Sequence, residues 1–373
     1  VGTTTLFLSA GDPSGDIAAS RLIGALNEIV PQLSVFGLGG ERLKHLGQEQ
    51  LISGADLAVL GFWEVAKRYP FFHKLFHRCV NEIRRRRPAA VILVDYPGFN
   101  LRLAKKIKPL GIPIIYYISP QVWAWGKRRV EAIKKYVDLM LVILPFEEAF
   151  YQQSGIKVHF VGHYLLEEIP KEYFSSPIPT NETTSLSLLP GSRPQEIERM
   201  LPSMLESARH FNRLYGAKTV VAGIKDFFDY EKYLDRYVSD NITISFEDSL
   251  KTIYESSLVL TASGTATLET AIIGRPMVVV YKTGFITYRI ARRVIKLDKI
   301  ALVNLVLGEK VVPELIQQRV KPEYIVPELK KYREDKQYWQ QVKTRLDTVP
   351  DLLGGAGTSK RAARLIAEHI GCF

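Results

Sequence analysis

The sequence predicts an α/β protein of two domains, each built on a parallel sheet, with the two sheets facing one interdomain cleft. Three observations predict this. Short apolar, β-branched runs alternate with segments at helical period along the chain, the pattern of a parallel sheet wound with helices. The alternation stops between Pro170 and Thr184, in a Pro-, Ser- and Thr-rich stretch without clear period, and then resumes. At 373 residues the chain is too long for one ordinary core and divides into domains of roughly 150–200 residues.

In chain order, strands are expected at Thr5–Leu8, Ser34–Leu38, Ala90–Val94, Ile114–Ile118, Leu139–Leu144 and Val158–Val161, with helices in most gaps. Arg84 to Arg87 read as the end of one such helix, just before Pro88, where cations complement the helix dipole. After the linker, strands are expected at Leu186–Leu189, Lys218–Ala222, Ile242–Ser245, Leu258–Thr261 and Met277–Tyr281. The boundaries are then 1–170, 171–345 and a tail, 346–373. In the tail an amphipathic helix through Lys360 and Glu368 follows a glycine-rich turn. Ligands of parallel sheets bind beyond the carboxyl ends of strands, which directs attention to the loops at 10–16, 37–40, 95–100, 119–125 and 162–163.

Composition limits the function classes. Hydrophobic residues make up 46% and charged residues 24%, far from a disordered chain. Cys79 and Cys372 are the only cysteines, so neither a disulfide framework nor a cysteine zinc site is supported and a reducing compartment is expected. No apolar run reaches the ~20 residues of a spanning helix and no signal-peptide pattern opens the sequence. A protein that is soluble, or lies on a membrane rather than in it, is expected. The net charge of +11 calls for an anionic partner: nucleic acid, a phosphorylated substrate or an acidic bilayer. No nucleic-acid reader motif is present, which ranks that class low.

The most informative stretch is Thr261 to Val280, which reads as strand, small-residue turn, helix and second strand. Ser263, Gly264, Thr265 and Ala266 let the backbone turn closely and aim N–H groups at an anion, and Glu269 stands where it can accept hydrogen bonds from ribose hydroxyls. A second unit of the same kind runs from Leu186 through Gly191, Ser192 and Arg193 into a helix. The Arg193 guanidinium suits bidentate contact with phosphate and stabilises a departing diphosphate. The competing reading is that both are ordinary strand-to-helix turns with a solvated arginine. The segment Leu60 to Arg78 sets Phe62, Trp63, Tyr69, Phe71, Phe72, Leu75 and Phe76 beside Lys67, Arg68, Lys74 and Arg78. That mixture suits a bilayer interface or acyl chains; the alternative is an aromatic core with a wet cationic face.

Eight motifs in order, AGDPSGD (10–16), VDYPGFN (94–100), SPQVWAW (119–125), LPFE (144–147), VGH (161–163), LLPGSR (188–193), SGTATLE (263–269) and LVNL (302–305), span nearly the whole chain. With them the sequence resembles the lipid-A-disaccharide synthase family, glycosyltransferase family 19, of the two-Rossmann-domain GT-B architecture. The resemblance implies metal-independent, inverting transfer of 2,3-diacylglucosamine from UDP-2,3-diacylglucosamine to 2,3-diacylglucosamine 1-phosphate, giving a β-1,6-linked disaccharide 1-phosphate and UDP. No cofactor is implied. The resemblance further implies a peripheral enzyme on the cytoplasmic face of the inner membrane, and a tail exchanged between two chains of a homodimer.

Inverting sugar transfer needs a base at the acceptor hydroxyl and a stabilised leaving group. Asp95 is the choice for the base: it ends the apolar strand Ala90–Val94, where partial desolvation raises its pKa, and it matches the family aspartate needed for activity. The alternative is that Asp95 caps the following helix. Asp12 and Asp16, flanking Ser14, are the next candidates; Asp12 stands where the family often has Glu. Asn304 is implied by resemblance to contact the donor, with Val303 where the family often has Pro. His163 is read either as an acceptor-phosphate contact or as a satisfied buried turn, and Tyr164 follows where the family often has Pro. Trp123 and Trp125 either stack on a sugar, line an acyl groove or simply pack. Two further readings stay open. One is a relative of the same architecture, such as a UDP-N-acetylglucosamine 2-epimerase or a polyprenyl-acceptor transferase. The other is a UDP-sugar-binding membrane adaptor without catalysis.

Overall fold

In the computed structural model, residues 2–52, 69–120, 127–175, 177, 184–284 and 299–372 are described. Two compact units result, one of Val1–Glu167 with Leu353–Phe373 and the other of Glu168–Leu352. Phe62, Trp63, Trp123 and Trp125 lie outside the described residues, as do residues 176 and 178–183 of the linker stretch.

The first unit carries β1 (Thr4–Ala10), α1 (Pro13–Ile29), β2 (Leu33–Leu38), α2 (Glu41–His45), β3 (Glu49–Gln50), α3 (Tyr69–Arg86), β4 (Ala90–Val94), α4 (Pro97–Ile107), β5 (Ile114–Tyr117), α5 (Lys127–Tyr136), β6 (Leu139–Val142), α6 (Pro145–Gln153), β7 (Val158–Phe160) and α7 (Leu165–Glu168). Its sheet runs β3-β2-β1-β4-β5-β6-β7, parallel throughout. β4 (AVILV) and β5 (IIYY) are buried at every position, as a sheet covered on both faces requires. The chain leaves β1 in one direction and returns at β4 in the other, so the strand order reverses between these two neighbours.

The second unit carries β8 (Ser185–Leu189), α8 (Pro194–Tyr215), β9 (Lys218–Ala222), α9 (Glu231–Leu234), β10 (Ile242–Ser245), α10 (Ser249–Tyr254), β11 (Leu258–Ala262), α11 (Ala266–Ile272), β12 (Met277–Tyr281), α12 (Leu302–Leu307), β13 (Glu314–Ile316), α13 (Pro322–Glu334), α14 (Lys336–Leu346) and α15 (Val349–Leu352). The sheet order is β10-β9-β8-β11-β12-β13, again parallel, with the reversal between β8 and β11. Every expected strand is present within a few residues of its expected limits. β3 and β13 were not foreseen; both are short edge strands carrying Glu or Gln rather than an apolar run.

The last helix, α16 (Thr358–His369), belongs to the first unit and packs along α1. Arg361 donates to the carbonyls of Val161 (2.9 Å) and Gly354 (2.9 Å), and Ser359 hydrogen-bonds the Glu167 carboxylate through its N–H and its hydroxyl. Gly162, at φ 91°, lies so close to Arg361 and Leu353 that a side chain there would collide with both. These contacts tie the tail to the turn after β7.

Candidate active site

Each unit places its candidate residues at the reversal point of its own sheet, where open parallel sheets bind ligands. In the first unit β1 and β4 run in register, Ala10 beside Val94. The chain therefore delivers Asp12, two residues past β1, next to Asp95, one residue past β4. Burial pushes the Asp95 carboxyl up from 3.8 to about 7, and the negative charge of Asp12 adds to the rise, while the Tyr96 N–H and the Arg129 cation hold it down.

The backbone at this point is strained. Asp95 and Tyr96 both take positive φ, 43° and 45°, immediately before Pro97, a region that costs non-glycine residues on the order of 1–3 kcal/mol each. Three groups hold them there. The Asp95 carbonyl accepts the Tyr116 hydroxyl at 2.5 Å and the Asn100 amide at 2.8 Å. Asn100, wholly buried, also donates to the Val94 carbonyl (3.1 Å) and accepts the Ser9 hydroxyl (2.8 Å), pinning β1, β4 and the loop together. The Tyr96 ring lies over Gly11, where a Cβ would meet it at 2.5 Å, and stacks on Phe99.

The helix-cap reading of Asp95 does not fit: the N-cap of α4 is Tyr96, and no side chain caps that end. Asp12 does cap α1, accepting the Gly15 N–H at 2.9 Å. Ser14, in the first turn of α1, is exposed. Asp16 is buried and accepts the N–H groups of Gly40 (2.7 Å) and Arg42 (3.1 Å), so it anchors the start of α2 and is not available to a substrate.

His163 sits in the turn after β7. It is buried, its Nδ1 accepts the Leu165 N–H at 3.3 Å, its own N–H donates to the Leu353 carbonyl, and burial drives its pKa down to about 3. The described half of the aromatic segment packs toward the core. In α3, Leu75 is buried and Phe71 and Phe76 pack against the same core, Phe76 edge-on to Phe99 at 5.7 Å. The cations Lys74 and Arg78 face solvent.

In the second unit β8 and β11 are in register, Leu189 beside Thr261, so the two turns emerge side by side. Gly191 takes φ 119° and lies against Glu196 in the first turn of α8. Ser192 is exposed. Arg193 is the N-cap residue of that helix; its guanidinium is 78% exposed and paired with Glu196 at 2.9 Å, a surface pair that a phosphate can displace cheaply. Opposite, Ser263 donates its hydroxyl to the Ile300 carbonyl (3.2 Å), and Gly264 stands at φ 158° with open space where a Cβ would be. Thr265, exposed, precedes α11, and Ala266 opens it. Glu269 lies one turn in; burial lifts its pKa to about 7, with the charge of Asp248 adding to the rise.

Asn304 is buried before β13. Its amide nitrogen donates to the Val312 carbonyl (2.9 Å) and the Glu314 carboxylate (2.8 Å), and its oxygen accepts the N–H groups of Val311 (2.9 Å) and Val312 (3.1 Å). All four hydrogen-bonding positions of the amide are used, so the side chain builds the loop before β13. Sequence reading gave no role to Asn100, Tyr116, Arg129 or Asp248. Asn100 and Asp248 had a signal: one stands inside the quoted VDYPGFN motif, the other is an Asp immediately before a helix, where it accepts the Leu250 N–H.

Comparison with known proteins decides among the readings. The family model described as Lipid-A-disaccharide synthetase matches residues 6–366. The chain belongs to the lipid-A-disaccharide synthase family. It is 36% identical over 372 residues to the lipid-A-disaccharide synthase of Myxococcus xanthus, covering 98% of this chain and 97% of that one. It is 38% identical over 373 residues to that of Trichlorobacter lovleyi, again 98% and 97%. Among solved structures, S. aureus MnaA in a co-structure with UDP superposes with TM-score 0.69 at 11% identity, covering 100% and 98% of the two chains. The calicheamicin glycosyltransferase CalG4 superposes with TM-score 0.59 at 14% identity, covering 100% and 99%. These likenesses establish the GT-B fold of two parallel-sheet α/β domains, which epimerases and transferases share. Membership of the synthase family makes this chain a glycosyltransferase of lipid A biosynthesis, with a UDP-sugar donor and a lipid acceptor. Among the described residues no helix is long and apolar enough to cross a membrane.

Proposed function

We propose that the protein joins two acylated sugars, taking 2,3-diacylglucosamine from its UDP form and placing it on the 6-hydroxyl of 2,3-diacylglucosamine 1-phosphate. The observation that carries the assignment of roles is the Asp95 carboxyl, pushed up to about 7 beside Asp12 at the reversal point of its sheet. A carboxylate of that basicity removes a hydroxyl proton far more readily than an ordinary aspartate, and about half of it is ionised at neutrality.

In the reaction, the acceptor oxygen attacks the anomeric carbon as its proton passes to Asp95. The bond from that carbon to the β-phosphate oxygen breaks on the opposite face, so the configuration inverts. The developing charge on the diphosphate is met by Arg193, released from Glu196, and by the turns at 191–193 and 263–266. Glu269 receives the ribose hydroxyls. Asp12 keeps the proton affinity of Asp95 high and holds α1 in place. The second unit is the donor unit and the first the acceptor unit.

Anionic bilayer is the surface from which the acceptor is drawn. α3, α4 and α5 pack in sequence on one face of the first sheet. They expose Lys74, Arg78, Lys105, Lys106, Lys134 and Lys135. A cationic face of this kind draws acidic headgroups with on the order of 1 kcal/mol per residue near the surface. The enzyme then works as a peripheral protein on the inner face of the cytoplasmic membrane. The glycine-rich turn before α16 serves as the hinge of a tail exchanged between two copies. The direct test is mass spectrometry of purified protein with both lipid substrates in detergent. A disaccharide 1-phosphate with equimolar UDP is expected; a UDP-sugar epimer without disaccharide would overturn the reading.

A further inference from the structure

On the solvent face of α3, His73 and His77 are both exposed and stand four residues apart, on the same side of the helix. Their Nε2 atoms approach to 3.2 Å and their ring centroids to 4.4 Å. Metal–nitrogen bonds of about 2.05 Å span such a gap with an N–M–N angle of roughly 100°, the bite of a tetrahedral or square-based ion. Imidazole pairs at this spacing are late first-row metal ligands in other helices for the same geometric reason. Among the described residues no group of three or more His, Cys, Asp or Glu that could hold a metal ion is found.

We propose that His73 and His77 form a two-coordinate docking site for one late first-row divalent ion, Cu²⁺, Ni²⁺ or Zn²⁺, on the outer face of α3. Both rings present Nε2 lone pairs to the ion with their protons on Nδ1; the single proton that bridges the two Nε2 atoms in the metal-free pair is relocated to a ring Nδ1 through solvent. The helix is already folded and its inner face locked by Leu75, Cys79 and Ile83. The site is therefore preformed, and its affinity is that of two imidazoles and water rather than of a closed structural centre. Cu²⁺ binds tightest of the three by the usual order of stability. The open coordination positions allow the ion to bridge to an oxygen or phosphate ligand outside the protein.

The test uses the whole chain without an affinity tag, stripped with chelator and titrated with Cu²⁺ by calorimetry, with the paramagnetic spectrum recorded at one equivalent. Micromolar binding of one ion, a spectrum showing two coupled imidazole nitrogens, and at least a tenfold loss in His73→Gln and in His77→Gln are expected. His45→Gln, at an exposed histidine on α2, serves as the control and should bind as the parent does. Unchanged binding in the double variant, or loss of affinity in the control equal to that in His77→Gln, would overturn the assignment. Circular dichroism of each variant separates loss of ligand from loss of fold, which a glutamine on a solvent face leaves intact.

Discussion

Replacing Asp12 by Asn removes one negative charge beside Asp95 and leaves the amide oxygen to accept the Gly15 N–H, so the cap of α1 survives. Adjacent strands run about 4.8 Å apart. Carboxylates leaving neighbouring strand ends then sit on the order of 8 Å apart and repel by about 2 kcal/mol at an effective dielectric near 20. That is roughly 1.5 pKa units, the smaller share of a rise from 3.8 to about 7 in which burial comes first. A base acts only when ionised, so kcat/KM of the parent falls as pH drops through about 7. In Asp12→Asn the acid limb should move down to roughly pH 5.5, by the loss of that repulsion. The assay is a pH series of disaccharide formation at subsaturating acceptor, with circular dichroism across the range. A limb that stays where it was, or moves to higher pH, would refute the coupling of Asp12 to Asp95.

Other perturbations read other parts of the site. Because the folded-state pKa of Asp95 is raised, the ionised form destabilises the fold: the group costs nothing below its unfolded pKa and the penalty grows as pH rises toward about 7. Asp95→Asn should therefore gain about 2–4 kcal/mol over the parent at pH 8 and almost nothing at pH 4, measured from urea midpoints. Asn100→Ala strips partners from Ser9 and from the Val94 and Asp95 carbonyls, and should cost about 2–3 kcal/mol of stability together with a large fall in kcat as the strained loop relaxes. Gly11→Ala drives a Cβ into the Tyr96 ring and should lower kcat about tenfold or more while UDP affinity, a property of the other unit, stays unchanged; equal losses in both would show a global effect. If Glu269 receives ribose as a carboxylate, UDP affinity should weaken as pH falls below about 7 in the parent and lose that pH dependence in Glu269→Gln, by calorimetry.

The parts legible in the sequence are those set by local pattern. Continuous apolar runs such as Ala90–Val94 and Met277–Tyr281 fix where covered strands run, and small-residue turns such as Pro190 to Arg193 mark where strands hand over to helices. The pairing of Asp12 with Asp95 follows once β1 and β4 are neighbours, but strand order is a tertiary fact that no window of residues carries. Left-handed backbone at Tyr96 was illegible because tyrosine prefers extended conformations and only the Asn100, Tyr116 and Gly11 contacts force it otherwise. His163 and Asn304 stood in motif-bearing segments, and their functions as buried supports appear only when their hydrogen-bond partners are counted. β13 was missed because Glu314–Ile316 is short and its glutamate faces Asn304 and the N–H groups of Ile300 and Ala301 instead of solvent.

The measurement closest to the central claim is single-turnover disaccharide formation by Asp95→Asn, paired with UDP binding by calorimetry on the same preparation. A fall in rate of about 10²–10⁴-fold, the usual worth of a general base, with UDP affinity intact, is what the account predicts. A variant that turns over at the parent rate, or one that loses rate and UDP affinity together, would contradict Asp95 as the base of the transfer.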